Sequence, residues 1–155
     1  TNRLLDIHLS NLPAFLTAFP GVDSGLMITQ YVAASLVSEN KVLVHPASAD
    51  SIPTSANQED HVSMGTIAAR QAHEISNNVF YILAIEIMAA AQGIDFLKPL
   101  TPGKGTTIAY QTVRKIIPHL DKDRFLSPEI EKLHDLIMDG ELVKTVETEI
   151  GELLI

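Results

Sequence analysis

The sequence predicts an all-α fold built as a bundle of long helices. Apolar residues recur at helical spacing over long stretches, and no strand-like alternation of useful length occurs. The stretch from about Asp60 to Gln92 would form a helix roughly 50 Å long at 1.5 Å per residue. Globular helices average about 11–12 residues, so a helix of that length points to part of a large bundle. The 155 residues fit one domain or one piece of a larger one. Hydrophobic residues make up 46% and charged residues 19%, the balance of a globular or interface-rich chain. Aromatics are only 5%, with no Trp, so the core must be built from Leu, Ile, Val, Ala and Met.

Leu4, Leu5, Ile7 and Leu9 suit a short helix or an extended piece. Asn11-Leu-Pro13 and Pro20-Gly21 then punctuate an irregular stretch. Asp23-Ser24 offers an N-cap to a helix from Gly25 to about Val42. In it Leu26, Ile28, Tyr31, Val32, Ala34, Leu36 and Val37 crowd nearly all round, as in a buried helix. Val44 to Asn57 reads as a loop, with Pro46 and Pro53. It is largely uncharged, so it is expected to be covered or to line a cleft. In the long helix, Met64, Ile67, Ala72, Ile75, Val79, Ile82, Leu83 and Met88 fall at helical spacing, and Gly93 is a fitting stop. Pro99, Pro102, Gly103 and Gly105 form a second irregular segment. A helix from about Thr106 to Ile117 ends before Pro118. Ser127 as cap and Pro128 at the first helical position open another, which Gly140 breaks. Residues 141–154 form the last, amphipathic helix. The expected division is residues 1–97, ending a central helical bundle, and residues 98–155, a set of C-terminal helices.

The net charge is −8, from 11 basic and 19 acidic residues, and the basic ones are dispersed. A nucleic-acid binder needs a basic patch, so no nucleic-acid partner is expected. The longest apolar run, around Val79 to Ala91, is interrupted by Glu86 and falls short of the roughly 18 residues of a membrane span. No membrane partner is expected either. Cysteine is absent, which excludes disulfides and thiolate chemistry and suits the cytoplasm. The chain opens on Thr1, inside an apolar segment and without an initiator Met or signal peptide. It is expected to be a fragment or a processed product.

Six histidines occur, but none forms the close pair that zinc sites favour; His61 and His73 fall on different helical faces. No metal site is expected. Pro102-Gly-Lys-Gly-Thr106 lacks the glycine spacing of a phosphate loop and has no preceding strand. It reads as a flexible loop. Thr54-Ser-Ala-Asn-Gln-Glu-Asp-His-Val-Ser-Met-Gly65 is different. It packs Asn57, Gln58, Glu59, Asp60 and His61 where the uncharged loop meets the long helix. Free N–H groups at a helix start attract an anionic ligand, and a carboxylate there could orient an imidazole or take a proton. The residues equally fit a polar capping cluster, with Asn57 or Asp60 as the cap.

That run, with Ser38-Glu-Asn-Lys41, His45-Pro-Ala-Ser48 and Asp50-Ser-Ile-Pro53 before it, resembles the histidine ammonia-lyases. Asn11-Leu-Pro13, Ser24-Gly-Leu-Met27 and Ala68-Ala-Arg70 fit the same pattern. The resemblance is dense over residues 11–92 and thin after about 97. It implies the C-terminal part of a subunit that eliminates ammonia from L-histidine to give trans-urocanate, within the wider group of aromatic amino-acid lyases and aminomutases. It implies a homotetramer of long helices with active sites shared between subunits. It also implies an electrophilic 4-methylideneimidazol-5-one cofactor made from an internal Ala-Ser-Gly. No Ala-Ser-Gly occurs here, the nearest runs being Ala34-Ser-Leu36 and Ala47-Ser-Ala49. The family's catalytic tyrosine and its arginine for the substrate carboxylate belong to its N-terminal part. This chain is therefore expected to hold no cofactor, to need the N-terminal part of the same subunit as partner, and to be inactive alone.

The resemblance assigns Glu59 to the substrate imidazole, by contact or proton transfer, with its acidity tuned by partial burial. Met27 is assigned to the same pocket, packed on the ring, with Asn57 and Gln58 supporting the glutamate. A carboxylate suits an imidazole N–H and poorly suits a phenyl ring, and relatives acting on phenylalanine or tyrosine tend to carry an amide there. Histidine is therefore the expected substrate. Ala14 and Asp23 depart mildly from the family pattern. Two other readings stand beside this one: a fragment of a tyrosine or phenylalanine lyase or aminomutase, and a non-catalytic helical assembly module.

Overall fold

The structure is a computed structural model that describes residues 1–153. Within them lie helices α1 (Asn2–Leu5), α2 (Ile7–Ser10), α3 (Met27–Leu43), α4 (Gly65–Phe96), α5 (Lys104–Ile116), α6 (Ser127–Met138) and α7 (Glu141–Ile150). Single 3-10 turns occupy Ala14–Leu16 and Ser55–Asn57. No strand occurs among the described residues, and the all-α expectation holds.

The 32-residue α4 is the axis of the fold. Against it pack α3 on one side and α6 on another, with α5 and the N-terminal segment at its C-terminal end. Helix α3 runs antiparallel to α4. Leu26 shares a small void with Met88 and Gln92, Asn40 accepts from the Asn78 amide at 2.9 Å, and the His45 carbonyl accepts from Gln71 at 3.5 Å. The core is correspondingly lopsided. Ala84, Ile85, Met88, Ala89 and Ala91 of α4 are buried with Leu5, Leu12, Leu16, Val113, Ile117, Ile130 and Leu133. The first turns of α4 carry no buried residue before Asn78. Helix α4 is also apolar enough, at a mean hydropathy of 1.6 over 18 residues, to cross a membrane by length and composition. The sequence leads to the opposite expectation because Glu86, which lies exposed, interrupts the apolar run. Packing against α3 and α6 accounts for the composition, since a core helix and a span share it.

Several boundaries differ from expectation. Helix α4 begins at Gly65 rather than near Asp60 because its leading backbone is held elsewhere: Ser51 Oγ donates to the Asp60 carbonyl at 3.1 Å and accepts from the Val62 N–H at 2.9 Å. Met64 then adopts a left-handed backbone, φ 50°, and Asn57 and Asp60 cap nothing. At the other end α4 runs through Gly93 to Phe96. A Cβ on Gly93 would lie 3.2 Å from Leu12 Cδ1, so this glycine admits the N-terminal segment and does not end the helix. Helix α5 starts at Lys104, inside the expected flexible loop, and Gly105 packs beneath Ile150 of α7. Helix α6 begins with Ser127 in its first turn beside Pro128, and Leu126 at the cap position. Gly140, at φ +71°, separates α6 from α7 as expected. Helix α7 ends at Ile150, and residue 154, included in the expected helix, lies outside the described residues.

The C-terminal end of α4 is tied to its neighbours by a polar knot around Asp95. The Asp95 carboxylate, 8% exposed, accepts from Arg114 Nη2 at 2.6 Å, His119 Nδ1 at 2.9 Å, the Tyr110 hydroxyl and Lys98 Nζ at 2.8 Å. Gln92, one turn earlier, donates to the Leu16 and Leu120 carbonyls and accepts from the Leu120 N–H and Arg114. Burial opposes the charge on Asp95. The hydrogen bonds from Lys98, Tyr110 and His119 and the Arg114 guanidinium outweigh it, holding the carboxyl well below the usual carboxylate range. A carboxyl lowered in this way contributes stability that is complete above its unfolded value of about 4, declines below it, and is fully lost only once the pH falls through the much lower folded value. Removing one partner of a buried pair costs about 3–5 kcal/mol. Asp95→Ala is expected to lose about that much at pH 7 in urea unfolding, and about 1 kcal/mol less at pH 3, about one unit below the unfolded value, where the folded carboxyl is still ionised. Equal losses at the two pH values would show that the carboxylate charge is not what stabilises the knot.

Candidate functional site

The residues expected to form the site stand on two separate parts of the chain. Met27 is the first residue of α3 and half-buried. It lines a groove of about 330 Å³ with Phe15, Gln30, Tyr31 and Ala34. Phe15 reaches it from the 3-10 turn, in a left-handed backbone at φ 56°, with Leu16 at the same φ. Non-glycine residues take this conformation rarely and at a cost of order 1–3 kcal/mol each, so the turn is held by its contacts. The Phe15 carbonyl accepts from the Leu26 N–H at 2.9 Å, and the Leu16 carbonyl accepts from Gln92 at 3.2 Å.

Glu59 lies on the loop between α3 and α4. Thr54 and Glu59 exchange both backbone hydrogen bonds, at 2.9 and 3.3 Å, and close a hairpin-like loop. Between them Ser55, Ala56 and Asn57 have φ of 53°, 54° and 68°, three consecutive left-handed residues of which only Asn tolerates the region readily. Asn57, Gln58 and Glu59 therefore share one rigidly closed turn. All three are exposed, and the Glu59 carboxylate makes no hydrogen bond among the described residues. The expected partial burial of Glu59 is not met within this chain. Nor does Glu59 stand at a helix start, since α4 begins only at Gly65. No hydrogen bond, ion pair or cavity joins Glu59 to Met27 among the described residues; the Met27 groove contains neither Glu59 nor its neighbours.

Chemically, the Met27 groove is an apolar slot with one amide, Gln30, and one phenol, Tyr31. The Glu59 turn offers an open carboxylate, free to accept from an N–H or to take a proton. Sequence reasoning missed Phe15, Gln30 and Tyr31. Gln30 and Tyr31 follow Met27 on the same helix and were legible by spacing; Phe15 was not, because its left-handed backbone is set by tertiary contacts. A larger groove of about 510 Å³ lies on the other face of α3, between Ile28, Val32, Tyr81, Phe125 and Ile130, and holds no expected site residue. Among the described residues no three His, Asp or Glu side chains converge as a metal site. The buried His134 is a core residue, stacked on Tyr81 at 4.1 Å and bonded to Asn77 at 3.1 Å.

The two runs nearest to Ala-Ser-Gly cannot supply the methylidene-imidazolone. Ala34-Ser-Leu36 is regular backbone inside α3, and Ala47-Ser-Ala49 is a turn that lacks the glycine. The residues present do not fit that group.

Histidine ammonia-lyase from Alkaliphilus oremlandii is 61% identical over 145 residues, covering 94% of this chain and 29% of its own length. The crystal structure of histidine ammonia-lyase from Trypanosoma cruzi superposes with a TM-score of 0.91 at 48% identity, over 95% of this chain and 29% of that one. Tyrosine aminomutase from Streptomyces globisporus superposes with a TM-score of 0.92 at 38% identity, over 99% of this chain and 30% of that one. The chain thus spans about 30% of the length of the curated relatives it matches. The model of the aromatic amino acid lyase family matches residues 1–115, and the chain belongs to that family.

Proposed function

We infer that this chain is a segment of a histidine ammonia-lyase, which removes the α-amino group and a β-proton from L-histidine to give trans-urocanate. The observation that carries the reading is an open carboxylate, Glu59, on a closed and strained turn, in a chain whose curated relatives at more than 50% identity are histidine ammonia-lyases. In this role Glu59 accepts from the imidazole N–H or takes a proton, and Met27 packs on the ring in its groove. Asn57 and Gln58 hold the carboxylate in place. That no bond or cavity joins the two parts among the described residues supports a site completed by chain outside them, in the N-terminal part of the subunit and across subunits of a homotetramer. A methylidene-imidazolone, which these residues cannot form, would supply the electrophile of the reaction from outside this segment. This chain's part is to bind and orient the ring and to manage a proton at the imidazole. Alone it has no lyase activity.

The likeness to tyrosine aminomutase does not choose a substrate, because the backbone is shared. The carboxylate at position 59 does choose. It matches an imidazole N–H and meets a phenyl ring with an unpaired charge, which is unfavourable in a desolvated pocket.

In the full-length protein Glu59→Ala is expected to lower turnover by at least about two orders of magnitude, the size of an acid–base contribution. A near-normal rate would return the turn to a purely structural role. Assayed with histidine, tyrosine and phenylalanine, the full-length protein should form urocanate. Preferential coumarate or cinnamate formation would defeat the histidine assignment. The coding sequence joined to this segment should contain Ala-Ser-Gly, and its absence would exclude the lyase chemistry altogether.

A further inference from the structure

The first turn of α3 lacks a cap of its own. Asp23 and Ser24, the expected cap, make no side-chain bond to the helix, and the cap position falls on Leu26. The free N–H groups ahead of the helix find a partner far away in sequence instead. The Asp123 carboxylate, on the loop between α5 and α6, accepts from the Ser24 N–H at 2.7 Å and from the Gly25 N–H at 2.8 Å. One carboxylate oxygen takes each bond, so the segment two residues before Met27 is gripped in both position and orientation.

The opposite side of the segment is closed too. Gly25 has φ +57°, and a Cβ there would meet the Phe15 carbonyl at 2.5 Å and the Thr17 side chain at about 3.1 Å. The Leu26 N–H donates to that same Phe15 carbonyl. Residues 24–26 are thus clamped between Asp123 and the strained Phe15 turn, and Phe15 and Met27 line one groove. The clamp is itself anchored. Arg124, next in sequence, donates to the His119 and Pro118 carbonyls and pairs with Glu129, and His119 belongs to the Asp95 knot.

We propose that Asp123 is a positioning residue for the substrate pocket, setting the place of the Met27 side chain opposite Phe15 through the first turn of α3. The proposal rests on the reading of Met27 as a ring-binding residue. Asp123 touches no substrate; it acts only through the backbone of Ser24 and Gly25. Those two N–H groups also hold its carboxyl below the usual carboxylate range, in keeping with an ionised clamp at a helix start.

The test is a double-variant cycle in the full-length enzyme, with histidine as substrate. Asp123→Ala is expected to raise KM about fivefold to tenfold with kcat changed less than about twofold, the pattern of lost ring binding without lost chemistry. Asp123→Asn keeps one acceptor oxygen and should fall between; it also serves if the alanine variant does not fold, which circular dichroism reports. Met27→Ala should raise KM by itself, and adding Asp123→Ala to it should raise KM no further, because both act on one contact. Additive effects, or unchanged KM in both Asp123 variants, would overturn the positioning role while leaving Met27 in the pocket. An unchanged KM in Met27→Ala would instead overturn the reading of the pocket, and the proposal with it.

Discussion

A carboxylate buried at the end of a long apolar helix has to be surrounded by donors, and Asp95 organises the C-terminal half of the molecule by that requirement. Arg114 comes to it from α5, His119 from the following loop, and Tyr110 and Lys98 from either side. Gln92, one turn away, satisfies carbonyls of the 3-10 turn and of the loop before α6. A buried network of this kind, satisfied except at Arg114 Nε, resists displacement, because a shift leaves further desolvated polar groups without partners. The loop after α5 is thereby fixed, and from it Asp123 reaches the start of α3. A single constraint thus passes from the last turns of α4, through a loop, to the residue proposed to pack on the substrate ring.

The distribution of apolar surface follows from the same axis. The C-terminal half of α4 is enclosed by α3, α6 and the N-terminal segment, whereas its first half is largely bare. Helix α3 buries only Thr29 and Ala33 and leaves Ile28, Tyr31, Val32, Val37 and Val42 exposed, with Tyr31 at 68%. The expectation of a buried α3 and a covered loop is therefore not met within the chain. So many exposed apolar side chains suit an interface, which agrees with a segment spanning about 30% of its relatives' length.

Backbone strain is concentrated where function is proposed. Phe15 and Leu16 stand by the Met27 groove, Ser55, Ala56 and Asn57 precede Glu59, and Met64 separates the loop from α4. Seven non-glycine residues among those described have positive φ, and all but Asn11 belong to these places. Strain persists only where surrounding contacts over-determine the conformation. Here the Thr54–Glu59 pair, the Ser51 hydroxyl and Gln92 are those contacts.

The amino-acid sequence by itself determined the helical class, the presence of every long helix, and the break at Gly140, because apolar period and punctuation are local properties. The motif around Glu59 was legible as well, since its residue types stand in one continuous run. Three kinds of feature were decided only by the tertiary structure. Gly93 resembles a helix stop until Leu12 packs on it. Asp23-Ser24 resembles a cap until Asp123, 98 residues beyond Gly25, takes the N–H groups. Phe15 joins Met27 only because Gln92 and Leu26 pin a turn that its own residues disfavour. In each case the competing energies are similar locally, and a contact from a distant element, which no local pattern encodes, settles which one is realised.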